Sequence, residues 1–346
     1  MRKVRNTIGL LMAVCLISVI LPCFAAAQQQ KVIELTYGTP YGVDHPFSVV
    51  DRKWMAKVEK ETNGRVKFKP YWGGAVIGGR DAVEELTQGA IDMAFINPST
   101  SKSGFQILRA SYLFFYGVTN LDVGAKIWKE MLAKFPEIEQ EYKDMKVLCW
   151  GGSLNQLITR KPVRKIDDLK GMRIKVVGDI SNALKELGVE GISISNAEIY
   201  VGLQKGIFDG LIGPTEGLES LKLADVAKYV TMINWYRTHG GMRMMNLKKF
   251  NSLPPDIRKV FENNIEYYSR ETDAYFTWMN SPQSMDVARK LGVEFITLSK
   301  EDMAKFYAPI KPMALKEAQD LDLKGLPGTK IYNEAQRLIA QYNAAK

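Results

Sequence analysis

The sequence predicts an α/β fold whose core is largely parallel sheet. Two observations carry this expectation. Short runs that are either apolar throughout or alternate apolar with polar residues recur along the chain, and stretches with helical periodicity separate them. The runs stop at Gly, Pro or Asn before the next helical pattern begins, as strand-to-helix turns do. The chain of 346 residues is long enough for two domains of ordinary size.

Taken in order, residues 32–37 read as a first strand, ending at Gly38, Thr39 and Pro40. A loop through Tyr41, His45 and Phe47 leads into a helix patterned by Val50, Trp54, Met55 and Val58, which Asn63-Gly64 stops. Residues 66–72 alternate as a second strand. Gly73, Gly74, Gly78 and Gly79 form a loose loop before a helix at 81–88. A buried strand over 91–96 ends at Asn97, Pro98 and Ser99, and another is expected over 145–150. From 254 to about 291 the pattern is helical for an unusual length, through Ile257, Phe261, Ile265, Tyr268, Tyr275 and Ala288. Pro254 and Pro255 open this stretch, and Pro282 is expected to kink it. Further helices are expected from 298–302 onward and over 332–342.

The N-terminus reads as a secretory signal. Arg2, Lys3 and Arg5 precede an apolar run over 8–24, and Ala25-Ala26-Ala27 offers small residues for cleavage, so the mature chain is expected to begin near Gln28. The apolar run is short for a membrane span and closes on three glutamines. Cys23 raises lipid attachment as an alternative, but Pro22 before it fits such a site poorly, and release is expected. Cys15 and Cys23 leave with the signal. Cys149 remains inside an apolar run, the setting of a small core residue rather than a nucleophile.

Losing the signal takes away three cations and no acid from a formal charge of +9. The remaining cations are interspersed with acids and form no basic block of the kind nucleic-acid binding needs. A mildly basic exported protein attracts organic anions. The chain carries no G-x-x-x-x-G-K-[ST] loop, no strand-linked G-x-G-x-x-G and no G-x-S-x-G elbow. His45 and His239, its two histidines, have no metal-ligand spacing to a partner. No cofactor and no metal site are therefore expected, and the chain is not read as an enzyme.

The most informative stretch is 167–177. Met172, Ile174 and Val176 would face one side of a short strand there, with Arg173 and Lys175 on the other. The strand stops at Gly178-Asp179 and a helical pattern begins near Ile180. Ligands of open α/β sheets gather beyond the carboxyl ends of strands, and Lys175 is the cation nearest that end. An ordinary amphipathic strand with a wet cationic face has the same pattern.

Several runs together resemble a known family, the extracytoplasmic solute receptors of tripartite ATP-independent periplasmic (TRAP) transporters, of the DctP type. They are Glu61-Thr62-Asn63-Gly64-Arg65-Val66, residues 87–94, Pro162-Val163 followed by 167–176, residues 198–210, and Asn246 ahead of 253–259. They occur in the family's order and span essentially the whole mature chain. The resemblance implies a two-lobed periplasmic-binding-protein fold that closes on a small solute by a hinge motion. It places lobe I at 31–149 plus 235–275 and lobe II at 150–234 plus 276–346. The crossing segments fall near 149–151 and 231–234, with the long helix of about 254–291 shared. It also implies a monomer that hands its solute to integral-membrane transporter subunits. A periplasmic receptor that presents its ligand to a membrane sensor kinase is the alternative, and a secreted enzyme on the same scaffold would differ by turning its ligand over.

On the family's pattern Lys175 stands where carboxylate-binding members carry Arg, so the charge is kept and the two-bonded fork is lost. A second common Arg falls near Asn155, and a common Asn falls at Gly213, before Pro214. The expected ligand is therefore a small organic anion, a carboxylate of bulky or aromatic kind, whose flat body stacks while its charge meets a cation. Lys175, Arg237 or His239 would supply the charge, and Trp150, Trp235 and Tyr236 the rings. Asn97, Phe47, Asn155 and Pro214 are placed at the cleft by family position. Arg80 reads equally as a solvated loop residue.

Overall fold

The computed structural model describes residues 32–344, apart from 79, 103, 119, 177–179, 195–197, 239–240 and 280–281. The signal segment and His239 lie outside the described residues, as does the stop at Gly178-Asp179. Eleven strands, β1 to β11 in chain order, are assigned among the described residues and form two sheets.

The first sheet has the order β2-β1-β3-β10-β4, from β1 (Ile33–Gly38), β2 (Val66–Tyr71), β3 (Met93–Ile96), β4 (Met145–Cys149) and β10 (Met242–Asn246). Strands β2, β1 and β3 run parallel, while β10 runs antiparallel to both β3 and β4. The second sheet has the order β11-β9-β5-β8-β6-β7. Its members are β5 (Ser153–Thr159), β6 (Arg173–Lys175), β7 (Glu190–Ile192), β8 (Gly210–Pro214), β9 (Tyr229–Arg237) and β11 (Glu294–Thr297). The parallel pairs follow from helical crossovers, which put helices on the sheet faces and demand the nearly continuous apolar strands seen in β3 and β4.

The chain passes from the first sheet to the second through Trp150–Gly152, because β4 ends at Cys149 and β5 begins at Ser153. The return differs. Residues 231–234 were expected to cross, yet they lie inside β9, which pairs with β5 from Tyr229↔Thr159 to Arg237↔Ser153. They mark a bulge instead. Asn234 adopts a positive φ of 48°, and Gln156 fills the break in the ladder by bonding the Asn234 side chain and backbone N–H, both at 2.9 Å. The crossing itself falls between Arg237 and Met242. The two crossings lie side by side, since a Cβ built on Gly151 would meet the Gly241 carbonyl oxygen at 3.4 Å.

The long helical stretch is also divided. It forms three helices, Pro255–Asn263, Ile265–Met279 and Pro282–Lys290, so a break the sequence reading lacked falls at Asn264. Its side-chain amide donates to Glu61 at 2.6 Å and to the Val260 carbonyl at 2.8 Å, contacts that hold the break. The Pro282 expected to bend a continuous helix begins a new one. The middle helix braces the first crossing. Ser269 accepts the Trp150 N–H at 3.1 Å, Asp273 accepts the Gly152 N–H at 3.4 Å, and Tyr268 stacks on Trp54 at 4.6 Å.

The tail is split between the two halves. Helix Lys300–Tyr307 meets the second half of the molecule, with Asp302 accepting the Ile166 N–H at 3.0 Å and Tyr307 donating to the Ile233 carbonyl at 3.1 Å. Helices Ile310–Leu323 and Gly328–Ala344 instead pack on Gln106–Phe114 and Leu121–Lys134, which precede the first crossing. Gln336 donates to the Phe114 carbonyl at 2.6 Å, and the Tyr116 and Tyr332 hydroxyls meet at 2.9 Å. The reading that assigned 276–346 wholly to lobe II is corrected by these contacts. Among the described residues no helix is long and apolar enough to cross a membrane.

Candidate functional site

Between the second sheet and the helix Gln106–Phe114 lies a small pocket lined by Tyr112, Leu113, Asn155, Ile180, Ile212, Trp235 and Arg237. Strand alternation explains its wall. Asn155 pairs with Trp235 on one side and with Pro214 on the other, so the three share a sheet face, and Ile212 and Arg237 follow at spacings of two. A larger hollow lies within the second half, among Leu218, Met285, Val287, Leu291 and Phe295, and among the described residues Glu219 is its one charged lining group, which offers no cation to an acid.

Arg237 joins the two halves at the pocket. It sits at the end of β9, and its guanidinium donates to Ser99 Oγ at 3.2 Å and to the Tyr112 hydroxyl at 3.0 Å, 4.7 Å above the Tyr112 ring. Tyr112 in turn donates to Asn97 Oδ1 at 3.1 Å. Asn97 is occupied further by the N–H and hydroxyl of Ser99, at 3.2 and 2.8 Å. These oxygens are replaceable partners: an anion reaching Arg237 would meet a half-buried cation already held in place by hydrogen bonds.

Lys175 ends β6 and is only 7 % exposed. Burial, and secondarily the charge of Arg237, lowers its ammonium to about 8. A buried ammonium within electrostatic reach of a second cation is costly, and a nearby anion relieves that cost.

The loop after β1 supplies an aromatic wall. Tyr41 stacks on His45 with ring centroids 4.0 Å apart, and Phe47 and Phe95 pack at 5.2 and 5.0 Å from Tyr41. Tyr41 is pushed up to about 12 by burial, moderated by Arg237. His45 is held down at about 4, by burial first and then by the charge of Arg243, so its ring is neutral and Nδ1 accepts the Phe47 N–H at 3.2 Å. Below the loop, Arg243 is fully buried and pairs with the equally buried Asp51, through Nη2 at 2.8 Å and Nε at 2.9 Å. The hydroxyls of Tyr37 and Tyr268 donate to the same carboxylate at 2.6 Å each, and the guanidinium lies 4.6 Å from the Phe47 ring centre. This network fixes the loop from beneath.

The family model of the bacterial extracellular solute-binding protein, family 7 (DctP), matches residues 44–320. The chain belongs to this family. A solute-binding protein of Sulfitobacter sp. NAS-14.1 is 26 % identical over 84 % of this chain and 88 % of its own. The solved structure of a TRAP periplasmic solute-binding protein from Desulfovibrio salexigens is similar with a TM-score of 0.75 and 25 % identity, over 90 % of this chain and 96 % of that one. A TRAP solute-binding protein from a marine metagenome, specific for aromatic acid ligands and solved with 3-hydroxybenzoate, has the same fold. Its TM-score is 0.75 at 21 % identity, over 90 % of this chain and 99 % of that one.

The DctP-family fold brings Asn155, Trp235 and Arg237 together at the pocket. Phe47 belongs to the aromatic wall, and Pro214 sits beside Asn155 in register. Two aromatics point elsewhere. Tyr236 alternates to the opposite face of β9 from Trp235 and Arg237, and it packs against Phe115 and the helix carrying Gly124. Trp150 is edge-on to Trp128 at 5.7 Å and to Tyr142 at 5.5 Å, within the helical layer. Arg80 is exposed. Cys149 is buried and its thiol is pushed up to about 11, in keeping with a core residue.

Sequence reasoning missed Tyr41, Ser99, Tyr112 and the Asp51–Arg243 pair. A usable signal existed for the last: a lone Arg inside Met242-Arg243-Met244-Met245, and an Asp on the apolar face shared by Trp54 and Val58, are each the mark of a buried charge in need of a partner.

Proposed function

We propose that the protein is a periplasmic TRAP receptor that closes on an organic carboxylate of bulky or aromatic kind and delivers it unchanged to integral-membrane subunits. Arg237 carries the reading: it is a cation lining a pocket between the second sheet and the helix Gln106–Phe114, bonded to Ser99 and Tyr112 of the other half. The ligand carboxylate takes the place of one or both of those oxygens, Lys175 adds charge, and Trp235 with the Tyr41 wall encloses the body of the acid. Binding to both halves gives the closed state its extra affinity, with lobe boundaries at the crossings 150–152 and 238–241. The aromatic-acid specificity of the metagenomic relative supports the ligand class. The protein acts as a monomer after export and performs no turnover.

A thermal-shift screen of organic acids tests this directly, since a ligand bound by the folded state alone raises the melting temperature. Aromatic and alicyclic monocarboxylates should give the largest shifts. A response confined to sugars without a carboxyl group, or to metal ions, would refute the reading.

A further inference from the structure

One buried carboxyl stands apart from the ion pairs of the molecule. Glu216 follows Pro214 by two residues, where β8 gives way to the short helix Gly217–Ser220. It is 8 % exposed, and its Oε2 is closed off from solvent with no hydrogen-bond partner among the described residues. The backbone amides of Glu216 and Gly217 stabilise its negative form, yet burial outweighs them and pushes the carboxyl up to about 8, so it is mostly neutral at pH 7.

The position borders the site: Glu216 lies two residues beyond Pro214, whose register partner Asn155 lines the pocket, and Tyr41 and Tyr275 lie within electrostatic reach of it. A second oxygen nearby is in the same condition. Asn155, paired in register with Pro214, is 2 % exposed and its Oδ1 has no partner among the described residues. Buried polar atoms are nearly always satisfied, so two unmet ones beside a pocket that Arg237 lines call for a partner that arrives with the ligand. A carboxylate cannot serve both, because it donates nothing. A hydroxyl can: it accepts from the neutral Glu216 carboxyl and donates to Asn155 Oδ1.

We propose that Glu216 is a specificity-determining residue that recognises a hydroxyl on the bound acid, so that the site prefers a hydroxycarboxylate to the same acid without its hydroxyl. This rests on the organic-acid reading above. Arg237 holds the carboxylate end, and Glu216 with Asn155 reads the oxygen beyond it. A pocket with buried hydrogen-bonding groups discriminates strongly against an analogue that leaves them unpaired.

The test is calorimetric titration of the full mature protein with two matched pairs, 3-hydroxybenzoate against benzoate and lactate against propionate. The wild type should bind the hydroxyl-bearing member of at least one pair more than about tenfold tighter. Glu216→Leu should reduce that preference to within about threefold, while Glu216→Gln, which still donates and accepts, should retain most of it. A wild-type preference near unity in both pairs, or one that Glu216→Leu leaves intact in a cooperatively folding protein, overturns the assignment of Glu216 and leaves the organic-acid reading standing. A folded wild type that binds none of the four acids, nor any acid of the thermal-shift screen, overturns both.

Discussion

Replacing Asp51 with Ala removes the acceptor shared by Arg243, Tyr37 and Tyr268. Both charges of the pair are fully buried, so the variant strands a guanidinium in the core beside the Phe47 and Phe95 rings. Breaking a buried pair from one side costs about 3–5 kcal/mol, because the remaining charge is uncompensated. Two tyrosine hydroxyls lose their acceptor as well, at roughly 1–3 kcal/mol each where no replacement is found. These terms overlap, and about 4 kcal/mol is a conservative total, equivalent to a fall in melting temperature of roughly 8 °C. Differential scanning calorimetry of Asp51→Ala measures it. The double variant Asp51→Leu, Arg243→Met removes both charges and should recover more than half of the loss, since a buried pair is often replaceable by apolar groups at about no net cost. A single variant melting within about 2 °C of wild type, or a double variant no better than the single, would refute the reasoning.

Ligand affinity should fall as pH rises. Lys175, held at about 8, is charged below that pH and loses its attraction for an anion above it. Glu216, also at about 8, is neutral below that pH and repels an anion above it, so both groups act in the same direction. Affinity for the best acid of the screen should be about tenfold weaker at pH 9.5 than at pH 6.5, with a shallower fall in Lys175→Ala; a flat profile would contradict both placements. Gly124→Ala should destabilise by about 1–3 kcal/mol in urea unfolding, because the added Cβ would overlap the buried Tyr236 ring, and an unchanged midpoint would mean that β9 turns Tyr236 another way.

Much of the fold was legible because local patterns dictated it. The alternation in 66–72 and the apolar run in 145–150 fixed their strands, and Asn63-Gly64 fixed a helix end with both residues at positive φ. The second crossing was misplaced because the sequence marks of a strand end, Asn234 above all, also mark a bulge, and only the β5 register separates the two. The break at Asn264 was hidden because Ile257, Phe261, Ile265 and Tyr268 keep helical spacing across it. At the site, Arg237 and Trp235 were singled out as following a crossing, whereas they end the strand that precedes it. Tyr236 was read with them although period-two alternation already puts it on the other face. The Asp51–Arg243 pair lies 192 positions apart in sequence and becomes a pair only when the helix Pro46–Glu61 meets β10.

The proposed receptor role requires that Arg237 hold an organic carboxylate between the two halves. Parallel calorimetric titrations of the wild type and Arg237→Ala with the best acid of the screen test it most directly. Losing the cation opposite a carboxylate in a closed site costs about 2–5 kcal/mol, so the variant should bind at least about thirtyfold more weakly. An affinity within about threefold of wild type, in a variant with an unchanged melting temperature, would contradict the account.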